Sequence, residues 1–352
     1  PLIQGTVSPV ARDYRAATFP SEWIARRTAL WTLGDRARFN APSREDSMLA
    51  NTTRALTEAQ REQWAVDGYL QLEGALSPAE VDFFSEQIDR VRRQPGYEPA
   101  PGKLPRGHYA WVDQADPNPE AFMDRRDLLA YHQAFIDLID RPRVFDLILD
   151  LMGPYIQFSM SQAIVRASTE TFPGYTHTDG GEAQRAIRVT ETSRPLAVKV
   201  MYLLTDVTEP DSGNFTIFPG SHLRPFPERA ERIPNPHMPG AVPLLGKAGD
   251  AYVFPHAIWH GPSPNRSGKA RKTILYNYCQ MFMRPYDFGT PYTALFERCT
   301  PRQRRLLGDL GHDFRPGDFF YAPEDQEALM TGTGRAQGCG INVDLNAARK
   351  RG

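Results

Sequence analysis

The pattern of apolar and polar positions changes at about residue 155 of the chain. Before this point, apolar residues recur at helical spacing, and two segments begin with a capping box, a helix start in which two side chains satisfy each other's backbone groups. In the first, Thr57 precedes Gln60 by three positions; in the second, Ser77 precedes Glu80 by three, with Pro78 as first helical residue. We expect two helices separated by a short strand from Tyr69 to Leu72.

Two further helical segments follow from the same spacing. The segment AYHQAFIDLIDRPRVFDLILDLMG keeps a helical apolar pattern and ends at Gly153, a residue typical of helix ends. Near the start of the chain, Ser21 to Leu33 places Trp23 and Trp31 on one face of a possible helix. The first half is therefore predicted to be mainly helical.

From Tyr155 onward the pattern is typical of strands. Segments rich in β-branched and aromatic residues alternate with Gly, Pro, Asp and Asn; they are IQFSMSQAIVRAS, LAVKVMYLLTDV, NFTIFPGSH, GDAYVFPHAIWHG and KTILYNYCQMFM. This favours an α+β, mainly β fold, in which an antiparallel sandwich or jelly-roll barrel is backed by N-terminal helices and holds a small ligand at its mouth. We predict an accessory extension at 1–55, the core at 56–283 and a C-terminal extension packing on it at 284–352.

Composition narrows the class of protein. The chain has 352 residues, 41% hydrophobic, which suffices for a substantial core. Its net charge of -1 provides no general attraction for nucleic acid or an anionic membrane, so we expect neither as a partner. Three unpaired cysteines, no signal-peptide pattern and no apolar run of about 18 residues predict a cytoplasmic protein. Nothing in the sequence indicates an oligomeric state.

A divided set of four polar residues carries the candidate chemistry. His177 and Asp179 are two positions apart, His260 follows 81 positions after Asp179, and Arg271 comes eleven after that. On a strand, residues at i and i+2 point to the same side, so His177 and Asp179 can converge on one ion. Two histidines and a carboxylate form the facial triad that binds Fe(II) and leaves other positions open. Arg271 lies where an iron enzyme would anchor the far carboxylate of 2-oxoglutarate.

His256 leaves a competing interpretation open. His256 and His260 are four apart, as in the helical zinc site of some peptidases. However, no glutamate follows His256, and Pro255 disfavours a helix. On a strand His256 would be a core or supporting residue. We expect the remaining histidines to be structural or surface residues; they are His108, His132, His222, His237 and His312.

Three ordered motifs extend this pattern between about Leu56 and Phe282. They are LTEAQREQWAVDGYLQLEGALSPAEVDFF, DVTEPDSGNFTIFPGSH and GDAYVFPHAIWHGPSPNRSGKARKTI. Together they resemble the phytanoyl-CoA dioxygenase family of Fe(II)/2-oxoglutarate oxygenases. The resemblance implies a double-stranded β-helix, with His177, Asp179 and His260 as catalytic metal ligands and Arg271 as the 2-oxoglutarate anchor.

One position departs from the family pattern. The family commonly has a small hydroxyl residue two positions after the second histidine, where this chain has Pro262. Ser263 is a candidate replacement for that cosubstrate contact. The anchor is not affected by the change, since Arg271 and Thr273 alternate onto one face of the next strand. The planar guanidinium of arginine suits a bidentate carboxylate pair.

Further pocket residues are predicted on neighbouring strands. Gln162 could donate to the metal-side carboxylate of the cosubstrate. Arg166 and Lys199 could bind an anionic cosubstrate or substrate, and Met201 shares a face with Lys199.

The implied reaction consumes 2-oxoglutarate and O₂, forms succinate and CO₂, and hydroxylates an unactivated C–H bond of a small molecule such as a natural-product intermediate. Asp179 disfavours halogenation, because a halide would have to replace the carboxylate. Two alternatives stay open, a cupin-like metal enzyme that does not use 2-oxoglutarate and a non-catalytic binding module of the same fold. Residues 1–55 and the segment GEAQRAIRVTETSRP are expected to form walls of the pocket.

Overall fold

A computed structural model describes most of the predicted core. The described residues are 55–93, 118–169, 176–187, 189–190, 192–227, 234–287, 293–310 and 325–326. The helix predicted at Ser21 to Leu33 lies outside them, as does Cys339.

Both predicted capping boxes are confirmed. Helix α1 spans Glu58–Val66 after the Thr57 cap, and α2 spans Pro78–Arg92 after the Ser77 cap. Strand β1, Leu70–Leu72, lies between them where a strand was predicted. In each cap, the side chains of residues three apart satisfy backbone groups that the helix itself leaves unpaired.

The segment predicted as one further helical stretch forms two helices. Helix α3 spans Gln133–Asp137 and α4 spans Pro142–Met152. The break is at Pro142, which has no N–H for a helix interior but suits a first turn. Helix α4 ends as predicted at Gly153, whose φ of 85° is accessible to glycine at little cost.

The strands of the described chain form two antiparallel sheets. The large sheet holds, in spatial order, β1, β7 (Ala251–Pro255), β4 (Ala197–Leu203), β9 (Arg271–Gln280), β3 (Ile156–Arg166) and β2 (Met123–Arg126). The small sheet has the order β6 (Val242–Leu244), β5 (Phe215–Ile217) and β8 (His260–Pro262). Short helices are α5 (Gly181–Arg185), α6 (Thr293–Phe296) and α7 (Pro301–Leu306). The prediction of a mainly antiparallel β fold with a few helices is confirmed.

The two faces of the large sheet contribute to different cores. Its outer face packs against the helices, with Val200, Tyr276 and Tyr278 in one buried set with Phe135 and Ile148. Its inner face supplies an apolar group that we call the inner cluster, which also receives residues of the small sheet. The inner cluster comprises Met160, Met201, Leu203, Val207, Ile217, Leu244, Tyr252, Phe254, Ile258 and Leu275. The space between the sheets is thus largely apolar, and polar side chains there are exceptions.

The described C-terminal residues also contact the core. Leu306 of α7 is fully buried within the outer core, and Asp287 accepts hydrogen bonds from Arg126 Nε at 2.8 Å and Ser161 N at 2.9 Å. No helix within the described residues has the length and apolar character needed to cross a membrane.

Candidate metal centre

His177 and His260 are brought together by backbone pairing. They form an isolated antiparallel bridge in which His177 N donates to His260 O at 2.8 Å and His260 N donates to His177 O at 2.9 Å. Residues paired in this way place their side chains on the same side of a sheet. The two ring centroids are 4.4 Å apart. The chain therefore assembles two distant histidines through the edge of the small sheet.

Asp179 completes the cluster. Its backbone N donates to the His256 carbonyl at 2.9 Å, which holds the turn that follows His177. One ligand atom from each of His177, Asp179 and His260 lies within 4.8 Å of the other two. Such a distance suits donors around a single ion, because metal–ligand bonds of about 2.0–2.2 Å separate neighbouring donors by only a few ångströms.

The two carboxylate oxygens of Asp179 differ. Oδ1 accepts a hydrogen bond from Lys199 Nζ at 2.6 Å, and both side chains are largely buried. Oδ2 is buried without a hydrogen-bond partner among the described residues. Burial opposes ionisation, but Lys199 together with the imidazoles of His260 and His177 outweighs it and holds the pKa of the Asp179 carboxyl well below its usual range. Oδ2 is therefore a negatively charged oxygen that is available as a ligand to a metal ion.

The imidazole of His260 is neutral and oriented to act as a metal ligand. Its Nδ1 donates to the Ile258 carbonyl at 2.8 Å, which leaves the lone pair of Nε2 available. Burial lowers the pKa of His260 to about 3, against the attraction of Asp179. Two imidazoles and a carboxylate with an unsatisfied buried oxygen fit a divalent transition metal.

Arg271 lies on the inner face at the start of β9. It is 5% exposed, and its Nη1 donates to Thr273 Oγ1 at 2.8 Å. Arg166 is its cross-strand neighbour. Burial, followed by the charge of Arg166, lowers the pKa of Arg271 to about 9, and its Nε has no hydrogen-bond partner in the described structure. A buried guanidinium with an unused donor is suited to bind an anion.

The structure brings the other predicted pocket residues to different surroundings. Ser263 Oγ is 2.7 Å from Thr216 Oγ1, so its hydroxyl already has a partner. Gln162 Nε2 donates to Asp124 Oδ1 at 2.7 Å. Met201 is packed in the inner cluster.

Arg166 is placed among groups that were not predicted. Its guanidinium carbon is 5.5 Å from the centre of the Phe122 ring, and burial lowers its pKa while Asp124 opposes that change. No local pattern indicates Asp124 as a neighbour of Arg166, because the pairing of β2 with β3 joins residues far apart in the chain.

Tyr286 is a further polar group near the site that the motifs did not indicate. Its phenol oxygen is buried. Burial raises the pKa of Tyr286, and the charge of Asp179 raises it further. Tyr286 belongs to the segment after β9, where its backbone N donates to Ser159 O at 3.0 Å. This contact joins residues far apart in the chain, so no local motif indicates the position of Tyr286.

His256 does not occupy a helix. It follows β7, and its backbone N donates to Ala197 O at 2.9 Å, which continues the pairing of β7 with β4. Residues 256–259 form a turn before β8. The helical zinc motif considered for His256 and His260 is therefore absent from this segment, and His256 lies outside the three-residue cluster.

A comparison with protein families agrees with this arrangement. The phytanoyl-CoA dioxygenase model matches residues 64–273, more than half of the chain, and this stretch includes the cluster and Arg271. The chain belongs to the phytanoyl-CoA dioxygenase family. The family resemblance inferred from the three motifs is thereby confirmed.

Individual relatives are more distant. An uncharacterised protein of Mycobacterium tuberculosis is 28% identical over 142 residues, which are 39% of this chain and 50% of that protein. Dioxygenase trt7 of Aspergillus terreus is 29% identical over 124 residues, 33% of this chain and 39% of the relative. The chain thus spans about half or less of the length of these curated relatives.

Solved structures share the fold. HygX from Streptomyces hygroscopicus with nickel and 2-oxoglutarate bound has a TM-score of 0.51 and 18% identity, and the match covers 68% of this chain and 93% of HygX. Iron-bound HygX has a TM-score of 0.50 and 19% identity, and the match covers 68% of this chain and 93% of HygX. At this identity the similarity concerns the fold.

Proposed function

We propose that the chain is a non-haem Fe(II)/2-oxoglutarate-dependent dioxygenase. In this proposal it hydroxylates an unactivated C–H bond of a small molecule, such as a natural-product intermediate, with succinate and CO₂ as coproducts. The observation that carries the proposal is the cluster of His177, Asp179 and His260, in which a charged and buried Asp179 oxygen has no protein partner among the described residues. An unsatisfied buried acceptor beside two imidazoles is costly unless a metal completes it.

Three side chains would bind the metal, and other groups would hold two of them in position. His177, His260 and Asp179 Oδ2 would hold Fe(II), while Lys199 fixes Asp179 Oδ1 and favours binding through one oxygen. The Ile258 carbonyl fixes the ring of His260. When bound, Fe(II) with 2-oxoglutarate and O₂ supplies the oxidising power for the C–H bond. Three protein donors leave positions for the cosubstrate and O₂.

Arg271 is the proposed anchor for the far carboxylate of 2-oxoglutarate. Thr273 accepts from Nη1 and orients the guanidinium, and Nε remains as a donor. A charge-assisted pair in a buried site is about twice as strong as a neutral hydrogen bond. Since Ser263 is engaged by Thr216, we propose that the contact usually supplied by a hydroxyl residue two after the second histidine is weak or missing in this chain.

The fold provides a dry setting for this chemistry. We propose that the two sheets form a double-stranded β-helix whose interior contains the metal. The inner cluster lines the same space as Lys199 and would exclude water from the reacting groups. A HygX structure with nickel, 2-oxoglutarate and hygromycin B, with a TM-score of 0.50, supports the location of such a site in this fold. The named dioxygenase relatives support the reaction class.

The test separates metal binding from cosubstrate binding. Ni(II) replaces Fe(II) so that no turnover occurs, and Ni(II) and then 2-oxoglutarate are titrated into the protein by calorimetry. Arg271→Ala should weaken 2-oxoglutarate binding by about 10- to 100-fold, as expected for a lost charge-assisted pair, while Ni(II) affinity changes little. Arg266→Ala is the matched control, because Arg266 is an exposed arginine in the preceding loop.

Each alternative predicts a different result. Metal binding without metal-dependent 2-oxoglutarate binding would indicate a cupin-like enzyme of another type. Absence of both would indicate a binding module. Equal losses of metal and 2-oxoglutarate affinity in Arg271→Ala would contradict the anchor role. With Fe(II) and a range of small molecules, succinate formation measures the reaction directly.

A further inference from the structure

A cavity lies next to the metal centre on the side of Asp179. Its volume is about 280 Å³, at the lower end of the roughly 300–1,000 Å³ typical of ligand pockets. It is bordered by the turn after His177, by α5 and the residues following it, by the loop after β5 and by the turn after β7. The lining residues used below are Asp179, Arg185, Ile187, Leu223, Arg224 and Phe226. A cavity of this size beside a metal ligand suits a small metabolite.

The described residues that line the cavity include more basic than acidic side chains. Arg185 and Arg224 line the cavity, whereas Asp179 is the single acidic side chain among the lining residues that the structure describes. Asp179 is already paired with Lys199 at 2.6 Å. Positive charge therefore predominates among the described lining residues, which favours an anionic group.

Arg185 is held in a fixed position at this cavity. Its Nε donates to Thr178 Oγ1 at 2.9 Å, and its guanidinium carbon is 4.3 Å from the centre of the Phe226 ring. The hydroxyl contact engages Nε alone, and a carboxylate or phosphate can pair with the two Nη groups of an arginine. Arg185 is thus oriented in advance, which lowers the entropy cost of binding an anion.

The remaining lining is apolar. Ile187 is 51% exposed at the cavity, and Leu223 and Phe226 add apolar surface. These three side chains provide an apolar wall against which the apolar body of a ligand can pack.

We propose that this cavity is the substrate pocket and that it binds a small amphipathic anion, with Arg185 pairing with the anionic group. The apolar body lies against Ile187, Leu223 and Phe226, next to the metal ligand Asp179. This proposal rests on the proposed oxygenase function, since it assigns the substrate class of that site. It also gives the segment between Asp179 and β4 a specificity role.

The experiment uses three probes of matched shape and different charge: 4-phenylbutyrate, 4-phenylbutanol and 4-phenylbutylamine. Each is titrated by calorimetry, without oxygen, into the full chain loaded with Ni(II) and 2-oxoglutarate. We expect the carboxylate to bind about tenfold or more tightly than the alcohol, and the amine to bind more weakly still. Arg185→Gln should remove the preference for the carboxylate, and Arg185→Lys should retain part of it.

Two further variants keep the result interpretable. Ala257→Phe narrows the cavity without changing its charge and should weaken all three probes. Arg143→Gln is the matched control, because Arg143 is exposed on α4 and does not line the cavity. Ni(II) and 2-oxoglutarate affinities of each variant report that the metal centre is intact.

The outcomes distinguish this proposal from the oxygenase proposal. Normal Ni(II) and 2-oxoglutarate binding with no preference for the carboxylate probe overturns the substrate class alone. Unchanged carboxylate binding in Arg185→Gln, or loss of 2-oxoglutarate affinity in that variant, overturns the role of Arg185. Failure of the wild-type protein to bind Ni(II) and 2-oxoglutarate instead contradicts the oxygenase proposal.

Discussion

Alternate residues of the same strands face opposite sides of the large sheet, and the two sides differ in polarity. On the outer face, Val200 and Tyr276 are buried with the helices. On the inner face, Lys199, Arg271 and Asn277 are buried polar residues. Asn277 Nδ2 and Arg271 Nε have no hydrogen-bond partner in the described structure. The outer face therefore packs against the helices, whereas the inner face combines the inner cluster with buried polar residues, two of which have an unsatisfied nitrogen.

This difference shows where stability is given up for binding. An unsatisfied buried polar atom costs about 1–3 kcal/mol, and the cost is offset when a ligand supplies the missing partner. Alternation along a strand lets each residue on the inner face be chosen for chemistry while its neighbour maintains the fold. Changes to the inner face should therefore reduce ligand binding, and changes to the outer face should reduce stability.

The largest effect on binding is expected for His260→Ala. This change removes one of three metal ligands, so Ni(II) affinity should fall by more than the roughly 10- to 100-fold that loss of an outer supporting partner costs. Succinate formation with Fe(II) should be lost. Calorimetric Ni(II) titration and a thermal unfolding scan measure the two properties separately. Retained tight metal binding in a folded variant would show that His260 is not a ligand.

Ile148→Ala is the corresponding change on the outer side. Ile148 is fully buried in α4, which packs against β4 of the large sheet. The lost contacts and the remaining cavity should lower the free energy of unfolding by about 2–5 kcal/mol. Denaturant unfolding measures this loss, while Ni(II) affinity of the folded variant should stay unchanged. A large loss of metal affinity would show that the two faces are not independent.

Local sequence patterns predicted the elements that depend on neighbouring residues. The caps at Thr57 and Ser77 satisfy the first turn of their own helices, so nothing distant is needed to place them. Strand parity likewise indicated that Lys199 and Met201 share the inner face. The break before Pro142 was also readable from the missing proline N–H, and the prediction of one continuous helical stretch was wrong.

Contacts across the sheets were not predictable in this way. The Lys199 to Asp179 ion pair and the Gln162 to Asp124 hydrogen bond depend on which strands and turns meet, and no local spacing specifies that. The motifs did identify the family, which is confirmed. The roles of the individual site residues and the division at residues 55 and 283 stay predictions.

Lys199→Met tests one contact on the inner face, the ion pair between Lys199 and Asp179. Losing the contact that fixes Asp179 Oδ1 should weaken Ni(II) binding, but removing a nearby positive charge favours a cation, so we expect a net loss of only about tenfold. The pKa of Asp179 should rise without its ammonium partner, so protons should compete with the metal at a higher pH than in the wild-type protein. Ni(II) titrations at several pH values measure both effects.

Lys199→Arg is the control for this prediction, because it keeps the charge next to Asp179. Its Ni(II) affinity should depend on pH as in the wild-type protein. If Lys199→Met and Lys199→Arg showed the same pH dependence as the wild type, the ammonium group would have no role in keeping Asp179 ionised.

The smallest effect is expected for Tyr278→Phe on the outer face. Tyr278 is fully buried, and its hydroxyl donates to the Ile139 carbonyl at 2.6 Å, which ties β9 to the chain between α3 and α4. Removing this hydroxyl should lower the free energy of unfolding by about 1 kcal/mol, because the aromatic ring still fills its space and one neutral hydrogen bond is lost. Tyr278 neighbours Asn277 and Cys279 on the same strand but faces away from the inner side, so Ni(II) and 2-oxoglutarate affinities should remain at wild-type values. If removing the Tyr278 hydroxyl weakened Ni(II) or 2-oxoglutarate binding, the helical layer would set the position of β9. The outer face would then also control the geometry of the site.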